Sequence, residues 1–423
     1  MNPVQIASII LALAALAGTV NYFFLKLPQA IGIMVAALLG SIAVLGLSHL
    51  HPAIDMAGMA RELVHSMQFS GAFLEGMLGL LLFAGALHVT FADLREQRWP
   101  ILLMASLGIL ISTIVVGFGF SWVTGMPLLI ALIFGALISP TDPVAVLGIL
   151  QKANIRKSLE AKITGEALFN DGVGYALYLL LVGLAFGSLH GGAPTPEIGW
   201  TTAVLKVAQE VVGGLIVGAG LGWLTFRIMR RIDDYALEVL LTLALAFGSY
   251  TLALALHVSA PIAAVMAGLM IGNVGRRDAM SETSRLHVEQ FWHLVDEMLN
   301  AALFVMIGIE IFALSFANAM LLAVPAAILL SLIGRFTSVL IPIIMLHPFR
   351  KSEGDVIPML TWGGVKGGIS VALALSLPES EWKPLILAAT YGVVIFSVLV
   401  QGLTVGRLAK VLEACAAART KAA

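Results

Sequence analysis

The chain has 423 residues, of which 59% are hydrophobic and only 12% are charged, and its formal net charge is −1. Soluble domains average roughly 25% charged residues, so this composition leaves too little polar surface for a water-soluble protein and predicts a polytopic membrane protein. The balanced charge, without aromatic residues interleaved among basic runs, argues against a nucleic-acid-binding protein.

Apolar stretches of about 20 residues, each bounded by charged or Pro/Gly-rich segments, predict membrane-spanning helices and an all-α fold. We place thirteen spans at residues 4–24, 29–47, 68–88, 99–123, 127–150, 160–187, 201–229, 234–256, 259–274, 288–312, 317–347, 355–377 and 383–410. The first stretch lacks a preceding basic segment and a cleavage site, so we expect a retained span and not a signal peptide.

The basic residues predict the orientation of these spans. If the N-terminus is outside, 19 of the 24 Lys and Arg residues fall on the cytoplasmic side. The outer side keeps only Arg61, Lys206 and Lys383, while Arg335 and Lys366 fall inside spans. By the positive-inside rule, the N-terminus is expected outside and the C-terminus in the cytoplasm.

The order of the spans also suggests an internal repeat. Thirteen spans divide into six, one and six, and spans 1 and 8 run in opposite directions, which predicts two inverted six-helix repeats. Spans 5 and 12 occupy equivalent positions and carry the helix-breaking sequences SPTDP (residues 139–143) and GGVKGG (residues 363–368). Secondary transporters built from inverted repeats place their sites at such broken helices, near the middle of the membrane.

Ionisable side chains inside a bilayer cost several kcal/mol and usually mark a transport pathway or a buried pair. The candidates here are Asp142, Glu166, Asp171, Arg335 and Lys366, with Glu75 and Glu310 nearer span ends. Asp142, between two prolines, is interpreted as a cation ligand in an unwound segment or as a helix cap. Asp171 is interpreted as a pathway carboxylate or as a partner in a structural pair.

The positive charges of two basic residues inside the spans also need to be compensated. Arg335 requires an anionic partner, and Glu166 with Asn170 is the expected group, in a structural role that we favour over one in transport. Lys366, set among glycines, is expected to neutralise carbonyl ends of the broken span 12. A direct part for Lys366 in proton coupling stays an open alternative.

Two motifs together carry a family resemblance: ISPTDP at residues 138–143 and GEALFNDG at residues 165–172. Agreement extends to LLLFAGALHV at 80–89, FVMIGIE at 304–310 and WGGVKGGISVALALSLP at 362–378. With these sequences, in this order over nearly the whole chain, the protein resembles sodium/proton antiporters of the NhaP/NHE type, in the monovalent cation:proton antiporter superfamily.

The resemblance implies a division into domains. Residues 99–187 (spans 4–6) and 317–412 (spans 11–13) would form the core ion-translocation domain, with the broken spans 5 and 12 crossing beside the ion. Residues 3–95 (spans 1–3) and 234–312 (spans 8–10) would form a dimerisation domain of a homodimer. Residues 200–230 (span 7) would be the linking helix.

The resemblance also implies an ion site. Asp171 matches the aspartate that binds the transported Na+, Thr141 would offer its backbone carbonyl, and Asp142 would lie alongside. The neighbouring Asn170 is also counted among the ion-binding residues, and it is typical of the electroneutral branch of the family, since the electrogenic branch has a second aspartate there.

Other positions match the family or depart from it. Glu166 and Arg335 match a buried ion pair. Many relatives have serine at Ala167, on the helical face of the aspartate, so one oxygen ligand is missing here. Relatives commonly carry arginine at Lys366, and an acid that some have in the third span is Ala84 here.

The function implied is exchange of Na+ (or Li+) for H+ by alternating access, electroneutral, in the plasma (inner) membrane, with competition at Asp171. The chain would then be no enzyme, would need no cofactor and would bind no nucleic acid. Because of Ala167, K+/H+ or mixed monovalent-cation exchange is the alternative. A cation channel is a weaker rival, and an intramembrane hydrolase using Asp142 and Asp171 is weaker still.

Overall fold

The computed structural model of the protein describes residues 3–50, 58, 71–142, 144–152, 155–186, 200–309, 312, 320–347 and 356–422. Pro143 of the SPTDP sequence and Glu310 lie outside these ranges. Glu75 is described by its backbone alone, in a helix over Gly71–Leu87.

Within the described ranges the regular structure is helical throughout, without a strand. Nineteen α-helices follow one another in these ranges: α1 (Pro3–Val20), α2 (Gln29–Leu50), α3 (Gly71–Leu87), α4 (Phe91–Glu96), α5 (Arg98–Leu103), α6 (Ile109–Thr124), α7 (Leu128–Ile138), α8 (Val144–Lys152), α9 (Lys157–Phe186), α10 (Trp200–Met229), α11 (Tyr235–Ala255), α12 (Ala260–Met270), α13 (Arg276–Asp278), α14 (Glu282–Ile309), α15 (Met320–Leu346), α16 (Val356–Trp362), α17 (Gly368–Leu375), α18 (Lys383–Phe396) and α19 (Gly402–Ala422). Short π-helical segments follow α1, α5, α12 and α18, at Asn21–Leu25, Met104–Gly108, Ile271–Gly275 and Ser397–Gln401.

Each of the thirteen predicted spans coincides with one of these helices or with a consecutive set of them. In the described part of the chain, nine helices are long and apolar enough to cross a membrane, and α7 and the end of α3 are shorter apolar helices. The number of crossings and the inverted repeat stay predictions.

The long helices present large apolar side chains on the outer surface. Trp122 on α6 is 89% exposed, and Leu321 at the start of α15 is 78% exposed. Water-soluble proteins rarely expose extended apolar surface, whereas a helix in lipid satisfies its own backbone hydrogen bonds and turns apolar side chains outward. The chain is therefore a multi-pass membrane protein.

The helices pack in two groups. Those of spans 4–6 (α5–α9) pack on one another and on those of spans 11–13 (α15–α19), with close contacts between α6 and α7 and between α6 and α15. Those of spans 1–3 and 8–10 form the second group, in which α14 packs on α1, α2 and α3, and α12 packs on α3. Helix α10 packs mainly on α12 of the second group.

Candidate functional site

The two interrupted helices meet at their breaks. Pro140 and Pro143 follow α7, and because proline lacks a backbone donor and disfavours helix at the preceding residue, the helix stops there and resumes as α8. Glycines produce the corresponding break between α16 and α17. The backbone N–H of Asp142 donates to the carbonyl of Val365 at 2.8 Å, so the two non-helical segments are hydrogen-bonded to each other.

Lys366 lies at this crossing and is only 2% exposed. Its Nζ donates to the carbonyl oxygens of Ser139, at 2.7 Å, and Pro140, at 3.3 Å, just beyond the end of α7. Carbonyls at a helix C-terminus have no partner within the helix and carry partial negative charge, which the ammonium offsets. The expectation that Lys366 neutralises carbonyl ends of its own span 12 is wrong, because the segments cross and its side chain reaches span 5.

Glu166 and Arg335 face each other in the interior, with side chains 1% and 6% exposed. The guanidinium Nη1 and Nη2 donate to the two carboxylate oxygens of Glu166, the second at 2.9 Å, and Nε donates to the carbonyl of Leu360 at 3.0 Å. A two-pronged contact of this kind suits the planar guanidinium. Through it, Arg335 joins α15 to α9 and α16.

Asn170 is fully buried and turns towards the break in span 5. Its Nδ2 donates to the Thr141 hydroxyl at 2.9 Å, whereas its Oδ1 has no hydrogen-bond partner among the described residues. We expected Asn170 to stand beside Glu166 as a partner of Arg335, and this is wrong. Arg335 donates to Glu166 and to the carbonyl of Leu360, whereas the amide of Asn170 donates to Thr141.

Asp171 lines a cavity of about 450 Å³ and is 7% exposed. Asp142 lines the same cavity from the break in span 5, and so does Ala167, one turn before Asp171 on α9. Asp171 forms no ion pair with a basic residue in the described part of the chain. The other predicted site residues do not belong to the cavity lining: Thr141, Glu166, Asn170, Arg335 and Lys366.

Two residues that the sequence reasoning missed also line this cavity, Asp296 and Asn300 on α14. Asp296 is an acid within the predicted span 288–312, which is the same signal that singled out Asp142 and Asp171. Asp296 was not identified as a candidate acid because it lies among other polar residues near the start of the span.

Gly367 gives a first test of the crossing. A Cβ added there would meet the carboxylate of Asp142. Forcing extra volume into a packed site costs about 1–3 kcal/mol, so we expect Gly367→Ala to lower the thermal unfolding midpoint and to displace Asp142. The matched control is Gly248→Ala on α11, where an added Cβ meets nothing within 4 Å. Equal unfolding midpoints for the two variants in detergent would contradict the close approach of the segments.

Comparison with known proteins identifies the family. The model of the family described as "Sodium/hydrogen exchanger, transmembrane" matches residues 10–411. The Na(+)/H(+) antiporter NhaP of Pseudomonas aeruginosa is 46% identical over 415 residues, which cover 95% of this chain and 95% of that protein. The Na(+)/H(+) antiporter NhaH of Halobacillus dabanensis is 33% identical over 392 residues, 92% of this chain and 93% of that protein.

Solved structures support the same fold. The structure of the sodium proton antiporter MjNhaP1 from Methanocaldococcus jannaschii superposes with a TM-score of 0.73 at 19% sequence identity, covering 96% of this chain and 97% of that one. Since the family model matches most of the chain and one relative shares almost half of its residues, the chain belongs to the sodium/hydrogen exchanger family.

Proposed function

We propose that the protein exchanges Na+ or Li+ for H+ across the membrane by alternating access, with both ions competing for Asp171. The observation that carries the proposal is the carboxylate of Asp171, which lines a cavity beside the crossing of two broken helices and has no ion-pair partner among the described residues. A buried carboxylate without a cationic partner is costly when charged. Binding a proton or a monovalent cation removes that cost.

Competition for one carboxylate couples the two fluxes. When Asp171 binds either ion, the negative charge of its carboxylate is neutralised. The moving part of the protein can then carry this site across the low-dielectric barrier. An empty, charged carboxylate passes it only at a large cost, and this suppresses leak. The neighbouring Asn170 adds no second charge, which supports exchange of one H+ for one Na+.

The residues around Asp171 would complete a coordination shell of oxygen atoms, the ligands that hard cations prefer. Asp142 shares the cavity with Asp171, and Thr141 belongs to the same broken segment. Asn170 and Thr141, which are hydrogen-bonded to each other, would hold this segment against α9. Glu166, Arg335 and Lys366 would keep the crossing rigid, and they compensate buried charge and carbonyls without binding the ion.

The moving part would be the group of helices in residues 99–187 and 317–412, and the fixed part would be residues 3–95 and 234–312, in a homodimer. The two groups of packed helices support this division. Residues 200–230 would connect the two parts. We place the protein in the plasma (inner) membrane with the N-terminus outside, from the excess of Lys and Arg in the cytoplasmic loops.

The choice of cation has a specific alternative. Ala167 lines the cavity one turn from Asp171 and supplies no oxygen, which favours water as a ligand and allows K+/H+ or mixed monovalent-cation exchange. Transport of K+ at a rate comparable to that of Na+ would establish this alternative.

The proposal is tested with the purified chain in proteoliposomes that carry an imposed pH gradient. Addition of Na+ or Li+ is expected to dissipate the gradient, and addition of K+ to do so weakly. An imposed membrane potential is expected to leave the rate unchanged, because electroneutral exchange moves no net charge. A transport step that moves one net charge would respond with about 2.3 kcal/mol per 100 mV. Potential-dependent rates would contradict electroneutrality, and single-channel currents would favour the channel.

A further inference from the structure

A second pair of oxygen ligands lies on α14, away from the crossing. The Nδ2 of Asn300 donates to the backbone carbonyl of Asp296 at 2.9 Å and to its Oδ1 at 3.1 Å. Because both of these atoms are acceptors, the nitrogen of the amide must face Asp296. The amide oxygen of Asn300 therefore points away from Asp296.

The carboxylate of Asp296 lacks a salt-bridge partner and the amide oxygen of Asn300 lacks a donor in the described part of the chain, although His293 is near enough to interact electrostatically with Asp296. Asp296 has no Lys, Arg or His within ion-pair distance in the described part of the chain. Asn300 is only 5% exposed, and its Oδ1 accepts no hydrogen bond from any described residue. A carboxylate and a free amide oxygen one helical turn apart thus remain available to a ligand.

The two residues lie at the boundary between two cavities. They line the cavity of about 450 Å³ that contains Asp142 and Asp171, and they also line a second cavity of about 580 Å³. Residues of α2, α8 and α19 form the other walls of the second cavity, among them Arg407 and Lys410. A cation that moves between the two cavities would therefore pass Asp296 and Asn300.

We infer that Asp296 and Asn300 form a second, transient binding position for the transported monovalent cation, on the wall of the cavity shared with Asp171. The inference rests on the proposed function, since it concerns the path of the same ion. Carboxylate and amide oxygens suit Na+, and water in the cavity completes its shell. Helix α14 packs with α1, α2 and α3, outside the group that contains α9, so this position would stay fixed while Asp171 moves.

The test compares the Na+ dependence of exchange in Asp296→Asn and wild-type protein. Asparagine keeps the acceptor for Asn300 and removes the charge. A cleft that loses an attracting charge loses local cation concentration, so we expect the apparent KM for Na+ to rise about fivefold while the maximal rate stays within about twofold. Asp296→Glu is expected to restore a KM near that of the wild type, which a merely structural role would not predict.

Glu297→Gln is the matched control, because Glu297 is the next residue on α14 and lines only the second cavity. It is expected to raise the KM much less than Asp296→Asn does, because Glu297 does not line the cavity that contains Asp171. An unchanged KM in Asp296→Asn, or an equal rise in Glu297→Gln, would overturn the inference. If Asp296→Asn does not fold, Asn300→Ala serves instead; it removes the free oxygen and is expected to raise the KM less, and a wild-type KM would overturn the inference.

Failure of the proposed function gives a different result. If the Asp171→Asn protein still exchanges ions, the assignment of Asp171 as the main site is wrong, regardless of the result for Asp296→Asn. If Asp171→Asn is inactive and Asp296→Asn has a wild-type KM, only the second position is wrong. Binding of ²²Na+ to the inactive Asp171→Asn protein gives a readout independent of transport. We expect the Asp171→Asn protein to bind ²²Na+ weakly. The double variant Asp171→Asn/Asp296→Asn is expected not to bind it.

Discussion

Asp171→Asn is expected to reduce Na+-dependent proton exchange to the background rate of empty liposomes. Asparagine has nearly the same shape, so the helix and the cavity should persist, but the amide can neither bind a proton at working pH nor balance the charge of Na+. Both half-reactions are therefore lost together. The measurement is dissipation of an imposed pH gradient by Na+ in proteoliposomes that contain equal amounts of folded protein.

The control for Asp171→Asn should show that position matters and not only the charge of the cavity. Glu160 lies on the same helix, α9, and lines the same cavity. Glu160→Gln removes one negative charge from that wall, and we expect exchange to continue. Activity in Asp171→Asn, or equal loss in both variants, would contradict the assignment of Asp171 as the site of competition.

Arg335→Ala is expected to be the most destabilising of the substitutions considered. It leaves the buried carboxylate of Glu166 without its partner and the carbonyl of Leu360 without its donor. Removal of one member of a buried ion pair typically costs about 3–5 kcal/mol. We expect a large drop in the thermal unfolding midpoint. The midpoint is measured by heating the protein in detergent and quantifying the remaining folded protein by size-exclusion chromatography.

Two further variants separate the buried pair from a general loss of arginine. In Glu166→Leu/Arg335→Met both charges are replaced by apolar side chains, and we expect part of the stability to return, because no buried charge is left unpaired. Arg285→Ala removes a partly exposed ion pair with Glu289 on α14, which is worth about 0–1 kcal/mol at most. If Arg335→Ala melted at the same temperature as Arg285→Ala, the structural role would be contradicted.

Much of the fold could be predicted because its signals are local. Apolar stretches of sufficient length placed the helices, and the prolines of SPTDP and the glycines of GGVKGG placed the two breaks within a few residues. These residue types act on their own backbone, through a missing donor or a missing side chain, whatever surrounds them. Such effects can be inferred from sequence without tertiary information.

The partners within the site were less predictable, because they depend on how distant segments cross. Lys366 binds carbonyls of Ser139 and Pro140 in the other broken helix, and Asn170 donates to Thr141 and not to a partner of Arg335. Nothing in the spacing along one helix fixes which face of a second helix lies opposite. Asp296 was missed for a related reason, since only the three-dimensional structure places α14 on the wall of the Asp171 cavity.

The contact between Glu166 and Arg335 also bears on how the protein is made. The two residues are 169 positions apart in the chain. At a synthesis rate of about 5–20 residues per second, Glu166 is synthesised roughly 8 to 34 seconds before Arg335. During that interval α9 must enter the membrane with an acid that has no guanidinium to bind. The first half of the protein therefore cannot reach its final packing before α15, which carries Arg335, has been inserted beside it.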